Sequence, residues 1–110
     1  MKFKIIEKKE DFLKKMNFNF CLQTTCGEFI EFYLNLKNDK IEEIFFYTIG
    51  SQLNIIAADL ICNISFNKNK NNLNELEDNF WNQFHINLNG FRKESIKNLI
   101  KNFIIKIQNK

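Results

Sequence analysis

The stretch TTCGEFIEF, from Thr24 to Phe32, places a cysteine, a glycine and a carboxylate side by side just before an alternating apolar run. Cys26 offers a soft sulfur donor and Glu28 a hard oxygen donor, and both occur as ligands in protein metal sites. Tetrahedral zinc takes four donors drawn from cysteine, histidine and carboxylate. These two residues therefore supply half of a metal site, and the other donors must come from elsewhere in the chain.

The other donors on offer are few, because His85 is the only histidine in the chain. A shift of the loop WNQFHINLNG would bring the His85 ring toward Cys26 and Glu28. Cys21 is a conceivable fourth donor. The complete site would then comprise Cys21, Cys26, Glu28 and His85. The alternative is that His85 is a surface or capping residue and that no such site forms.

The cysteines differ in the roles that their surroundings predict. Cys21, Cys26 and Cys62 are an odd number in a chain whose first residues lack the apolar run of a signal peptide. We therefore expect a cytoplasmic protein without a disulfide framework. Cys62 falls on an apolar helical face, where a cysteine packs as a small hydrophobic residue. Cys26 is either an exposed, reactive thiol or a cysteine with no chemical role.

The residue patterns that are typical of several function classes do not occur in this sequence. Glu28 has no second carboxylate spaced for acid–base work, and no Ser-His-Asp set, P-loop or glycine-rich dinucleotide turn occurs, so we expect no enzyme. The net charge is +3, but the 16 basic residues are scattered among 13 acidic ones. This distribution predicts no nucleic-acid partner, and no apolar run is long enough to predict a membrane partner.

The elements that must position these residues begin with strands. Side chains alternate with a period of two from Phe18, and again in GEFIEFYLNLK and IEEIFFYTIG, which indicates three β-strands. Cys21 faces away from the apolar side of the first strand. The turn residues NDK join the second and third strands, so the sequence predicts an antiparallel meander. The second strand should face the core through Ile30, Phe32, Leu34 and Leu36.

Helical spacing marks the rest of the chain. A short helix is predicted within residues 7–17, Ser51 is placed to cap a long apolar helix, and Asn72 to cap a second. Gly90 then interrupts the chain before a final helix with an apolar stripe at Ile96, Leu99, Ile100, Phe103, Ile104 and Ile107. Strands first and helices afterwards predict one α+β domain over residues 1–110, with the helices on one face of the sheet.

The order CGEFIEFYLNLKNDKIEEIFFYTIG, a helix containing IIAADL, a polar loop, an acidic helix and a final amphipathic helix resembles the IscU/NifU family of iron–sulfur cluster assembly scaffolds. The resemblance covers about Thr24 to Gln108 and implies a SufE/NifU-like fold. In that family, a Cys-Gly-Asp before a strand, a Gly-Cys at the start of the central helix and a His-Cys before the last helix bind a nascent cluster or a zinc ion.

The family's ligand set is only partly present in this sequence. Cys26 and Gly27 match the first motif, and Glu28 takes the aspartate position. Ser51 and Leu88 stand where the other two cysteines would be. Ser51 is either a poor hydroxyl ligand or a helix cap worth about 1 kcal/mol, and Leu88 can donate nothing. A [2Fe–2S] cluster takes four thiolate-type ligands, so the resemblance implies a degenerate site.

Two functions follow from this resemblance. The first is a scaffold homologue that binds zinc, iron or an iron–sulfur cluster weakly or not at all, or that accepts a persulfide on Cys26 from a cysteine desulfurase. The second is a metal-free interaction module, which keeps the fold in order to bind a desulfurase, another iron–sulfur assembly protein or a second copy of itself.

Overall fold

The computed structural model describes residues 2–7, 10–24 and 27–109, with the side chains of Glu10 and Phe12 excepted. Its three strands form an antiparallel sheet in the order of the sequence, with the helices packed against it, so the predicted α+β meander is confirmed. The elements are α1 (Glu10–Leu13), β1 (Phe18–Gln23), β2 (Phe29–Lys37), β3 (Lys40–Thr48), α2 (Gln52–Ser65), a 3₁₀ turn (Lys70–Asn72), α3 (Leu76–Gln83) and α4 (Gly90–Gln108).

The hairpin between β2 and β3 closes with a two-residue turn. Asn38 and Asp39 both have positive φ, at 51° and 65°. Such angles are those of a type I′ turn, whose twist matches the twist of the flanking strands, and asparagine and aspartate tolerate them better than most residues. Lys37 consequently pairs with Lys40, and the turn fixes the register of the hairpin.

A β-bulge in β3 changes which side chains reach the core. Asn35 pairs with Glu43 whereas Leu36 pairs with Ile41, so Glu42 is an extra residue in the ladder. In a regular strand, Ile41 and Ile44 would point to opposite faces because they are three residues apart. The bulge places both on the core side, and both are buried.

The core lies between the sheet and the helices. Phe20 and Phe32 on the sheet and Phe103 on α4 pack as an aromatic cluster, with ring centroids 4.9–5.6 Å apart. Aromatic pairs at these separations add stability beyond the burial of their area. The predicted core residues of β2 are all buried: Ile30, Phe32, Leu34 and Leu36. The predicted stripe of α4 is buried as well, except that Ile104 is half-buried.

The outer edge of β3 is covered at both ends. Phe46 exchanges backbone hydrogen bonds with Phe3 and Ile5, at 2.9 and 2.7 Å. Ile41 exchanges two more with the 67–68 segment, each 2.8 Å long. Because the unpaired groups of an edge strand invite pairing with other chains, these two segments protect β3.

Three details of the helices differ from expectation. The first helix spans only Glu10–Leu13. Asn72 ends the 3₁₀ turn instead of capping a helix, because Asn69 takes the capping role one turn earlier and the next helix begins at Leu76. Gly90 is the first residue of α4 instead of an interruption, since the Asn89 side chain caps that helix. Asparagine at the cap is a stronger signal than the glycine after it.

α4 is 19 residues long and carries lysines along its exposed side, among them Lys93, Lys101 and Lys106. Within the described ranges, no helix combines the length and the apolar character that crossing a membrane requires.

Replacing Phe103 with alanine should lower the free energy of unfolding by about 3–5 kcal/mol, because it leaves a cavity at the centre of the aromatic cluster. Phe91 provides a matched control on the same helix, since 61% of its surface is exposed. Phe91→Ala should change the free energy of unfolding by less than about 0.5 kcal/mol. Urea denaturation followed by circular dichroism measures both, and equal losses would contradict this description of the core.

Candidate functional site

Three segments that are far apart in the sequence meet at one end of the fold. They are the β1–β2 connection, the first turn of α2 and the first turns of α4. Together they line a pocket of about 390 Å³. The β1–β2 connection contributes Glu28 to this pocket. The other lining residues are Ser51, Gln52, Leu53, Asn54, Arg92, Ser95 and Ile96.

The Glu28 carboxylate binds the N-terminus of α2. Its Oε2 accepts a hydrogen bond from the backbone N–H of Ser51 at 3.0 Å and another from the Asn54 side-chain amide. The first N–H groups of a helix lack partners within the helix and carry partial positive charge, so they favour a carboxylate. Glu28 is therefore a long-range cap that ties the β1–β2 connection to α2.

Gly50 leaves the space that this carboxylate occupies. A Cβ atom at position 50 would lie 2.6 Å from Glu28 Oε2 and 3.2 Å from Thr48 Oγ1. The Thr48 hydroxyl is itself held in place, because it donates a 2.7 Å hydrogen bond to the Phe29 carbonyl. A side chain at position 50 would consequently displace the carboxylate from α2.

Ser51 is the N-cap of α2, as the sequence predicted. Its backbone is extended, with φ −64° and ψ 155°, and its hydroxyl accepts the backbone N–H of Asn54 at 3.4 Å. Leu88, at the other position where the family has a cysteine, is half-buried and packs against the hydrophobic core. Both residues thus have local structural roles.

The turn before β2 is organised by Thr24. Its N–H donates to the Glu28 carbonyl at 2.7 Å, its carbonyl accepts the Gly27 N–H at 2.9 Å, and its hydroxyl accepts the Glu28 N–H at 3.2 Å. Gly27 has a φ of 85°, which a residue with a side chain rarely adopts. Cys26 lies outside the described residues, so its proposed role as a thiol or ligand stays a prediction.

The remaining candidate residues lie apart from one another. His85 is exposed between α3 and α4, and Cys21 is exposed on β1. In the part of the chain that the structure describes, no three His, Cys, Asp or Glu side chains are grouped as a metal site. Cys21, Glu28 and His85 therefore do not form such a group. Cys26, the fourth residue of the predicted site, lies outside the described residues.

Cys62 has the structural role that its helical position predicted. Its side chain is fully buried in α2. Burial raises the pKa of the Cys62 thiol well above its ordinary value, and the nearby Asp59 raises it further. Because the thiolate is the reactive form, this cysteine is chemically inert in the folded protein.

A second group of ionisable side chains lies on the face of the sheet opposite the helices. Glu31 pairs with Cys21 on one side and with Tyr47 on the other. The hydroxyl of Tyr33, two residues further along β2, donates a hydrogen bond to Glu31 Oε2. Burial, and then this carboxylate, raise the pKa of the Tyr33 phenol above its ordinary value.

Sequence reasoning missed Gly50, Asn54 and Arg92 as members of the site. Asn54 had a visible signal, since it is a polar residue three positions after the cap in an otherwise apolar run. Arg92 had one too, because it is the only arginine among 16 basic residues. Neither signal shows which residue is contacted, because such contacts join distant parts of the chain. Glu28, for example, precedes Asn54 by 26 residues.

No protein-family model matches this chain, and a search of curated proteins finds no significant match. The function of the site must therefore be argued from its own residues and geometry.

Gly50→Ala should destabilise the protein by about 0.5–2 kcal/mol, because the added methyl group moves the Glu28 carboxylate away from the helix N-terminus that it caps. Gly90→Ala is the matched control: nothing lies within 4 Å of a Cβ atom at that position. It should leave the stability unchanged or raise it. Urea denaturation of both variants measures the difference.

The same substitution in a Glu28→Ala background separates the carboxylate from other causes. The cost of Gly50→Ala should fall by more than half there, because the overlapping group is gone. An undiminished cost in the double variant would show that Gly50 is required for a reason other than the position of Glu28.

The Tyr33 phenol should make the protein less stable at high pH. Its pKa in the folded state lies above the value of 10.0 expected for an unfolded chain, so the native state retains the proton that the unfolded state loses. Stability should therefore decline as the pH rises above about 10. Urea midpoints measured from pH 8 upward should decline less steeply in Tyr33→Phe, and identical slopes would contradict this assignment.

Proposed function

We propose that this chain is a cytoplasmic, non-enzymatic homologue of the IscU/NifU scaffolds with a degenerate metal site. The observation that supports the proposal is the convergence of the β1–β2 connection, the start of α2 and the start of α4 around one pocket. The resemblance places the family's ligands on the first two of these segments and just before the third, and two of the ligand positions, Glu28 and Ser51, line the pocket. A meander followed by three helices is also the order of elements that the resemblance implies.

The donor set does not fit an iron–sulfur cluster. The Ser51 hydroxyl and one oxygen of Glu28 are engaged with α2, and Leu88 carries no donor atom. A [2Fe–2S] cluster takes four thiolate-type ligands, which these positions cannot supply. No step through a bound cluster is therefore part of the proposal, and zinc or iron held by Cys26 and Glu28 would bind weakly.

A persulfide on Cys26 is the chemistry that remains open to a single thiol. The Cys26 thiolate would attack the outer sulfur of a cysteine persulfide on a desulfurase. A new sulfur–sulfur bond forms on Cys26, the bond in the donor breaks, and the donor cysteine leaves as its thiolate. Sulfur is transferred without net oxidation or reduction, and no second ligand is required.

The alternative is a metal-free interaction module, and exposed apolar side chains favour it. Phe29 and Ile49, at the end of the sheet near Glu28, are 55% and 82% exposed. Phe91, in the first turn of α4, is exposed as well. Apolar groups of this size near one end of a fold are typical of protein–protein contacts. The partner would be a desulfurase, another iron–sulfur assembly protein or a second copy of the chain.

The test compares wild-type protein with Cys26→Ser and Cys21→Ser after anaerobic incubation with a cysteine desulfurase and cysteine. Mass spectrometry should find an added sulfur atom on wild type and Cys21→Ser and none on Cys26→Ser. Elemental analysis of the same samples should find zinc and iron far below one atom per chain. A stoichiometric metal, or the absence of the sulfur adduct, would overturn this proposal.

If the chain is instead a metal-free interaction module, the incubation with desulfurase and cysteine should give a different result. Wild type would carry neither sulfur nor metal, and a dimer or desulfurase complex would persist in Cys26→Ser during size-exclusion chromatography. Ile49→Ser should weaken that complex, because it removes the most exposed of the apolar groups near Glu28. A strictly monomeric protein with no desulfurase complex would exclude the module.

A further inference from the structure

The pocket between α2 and α4 carries two opposite charges that do not neutralise one another. Glu28 lines one part of it and Arg92 another. An ion pair requires nitrogen and oxygen within about 4 Å, and among the described residues Arg92 forms none. Glu28 and Arg92 therefore border a shared space of about 390 Å³ without forming an ion pair.

Each charged group retains capacity to bind a ligand. Glu28 uses Oε2 to cap α2, while its Oε1 accepts no hydrogen bond from the residues that the structure describes. Arg92 uses only its backbone N–H, in the cap of α4, and its guanidinium offers a planar set of donors that suits a carboxylate. An acidic and a basic residue with unused acceptor and donor atoms thus line one pocket.

A simple anion or a simple cation does not suit the combination of Glu28 and Arg92. Glu28 already fills the positive N-terminus of α2, so an anion beside Arg92 would be repelled by that carboxylate. A simple cation beside Glu28 would meet the guanidinium of Arg92 in the same way. A ligand that carries both charges satisfies both groups and adds no net charge to the pocket.

The uncharged lining indicates what else such a ligand carries. Leu53 is half-buried and Ile96 is buried, and together they supply an apolar surface. Ser95 and Gln52 supply polar atoms at the same pocket. The volume falls in the range of small-molecule pockets and accommodates a single amino acid.

We propose that this pocket binds a free α-amino acid with an apolar side chain. Its ammonium group would meet Glu28, its carboxylate would meet Arg92, and its side chain would pack against Leu53 and Ile96. The ligand is additional to the scaffold function proposed above and uses neither Cys26 nor a metal.

The test uses L-leucine as the probe and two-dimensional NMR of the ¹⁵N-labelled protein as the readout. Titration should shift the amide signals of the first turns of α2 and α4. Two molecules that each lack one charged group serve as matched probes: 4-methylpentanoic acid has no ammonium group, and 3-methylbutylamine has no carboxylate. Each should bind at least about tenfold more weakly than L-leucine, because each leaves one charged group of the pocket unpaired.

Two neighbouring cations on α4 provide matched variants. Arg92→Gln should weaken L-leucine binding about tenfold or more. Lys93→Gln should leave it unchanged, because the Lys93 ammonium lies over the Trp81 ring, 5.5 Å from its centroid, and does not line the pocket. Both substitutions remove one positive charge from adjacent exposed positions, so they control for net charge and for folding.

Three results would overturn the proposal: no shifts at millimolar L-leucine, equal binding of 4-methylpentanoic acid, or equal losses in Arg92→Gln and Lys93→Gln. The second would indicate a carboxylate site, and the third a general electrostatic effect. Amide signals report L-leucine binding and added mass reports the persulfide, so the failure of one proposal is distinguishable from the failure of the other.

Discussion

The contact between the Glu28 carboxylate and the start of α2 links the two halves of this fold. It joins a residue that precedes β2 to a helix that follows β3, across the whole hairpin. The contact depends on the missing side chain at Gly50, and Thr24 holds the backbone of Glu28 from the other side. A carboxylate at a helix N-terminus accepts hydrogen bonds from N–H groups that have no partner within the helix and favours their partial positive charge.

This arrangement gives Glu28 a role different from the one that its sequence position suggests. The resemblance places it among metal ligands, but one of its oxygens is committed to α2. Ser51 is likewise committed as the cap of the same helix, and Leu88 packs against the core. Each of these three residues thus has a local structural role in this fold.

The regular elements could be predicted because their patterns are local. A period of two located the strands, and the apolar stripe located α4. Ile41 could not be placed, since its burial depends on a bulge that only strand pairing reveals. The choice of Asn69 over Asn72 as a cap was also hidden, because a run rich in asparagine contains several equivalent cap signals.

The site was less predictable, because its contacts join distant segments. The cap at Ser51 was visible, as it depends on residues one turn away. The bond from Asn54 to Glu28 and the shared pocket with Arg92 depend on how α2 and α4 pack on the sheet, which no local pattern encodes.

Ser51 and Leu88 offer no thiolate at the positions that the resemblance aligns with cysteine, and this affects what this end of the molecule can bind. Hydrogen-bonding side chains and the apolar Leu53 and Ile96 line the pocket there. Glu28 and Arg92 both line the pocket, so an acidic and a basic residue border it without forming an ion pair. Metal cations are disfavoured beside an arginine, whereas dipolar organic molecules are not. A pocket with this lining therefore suits a small dipolar molecule better than a metal cation.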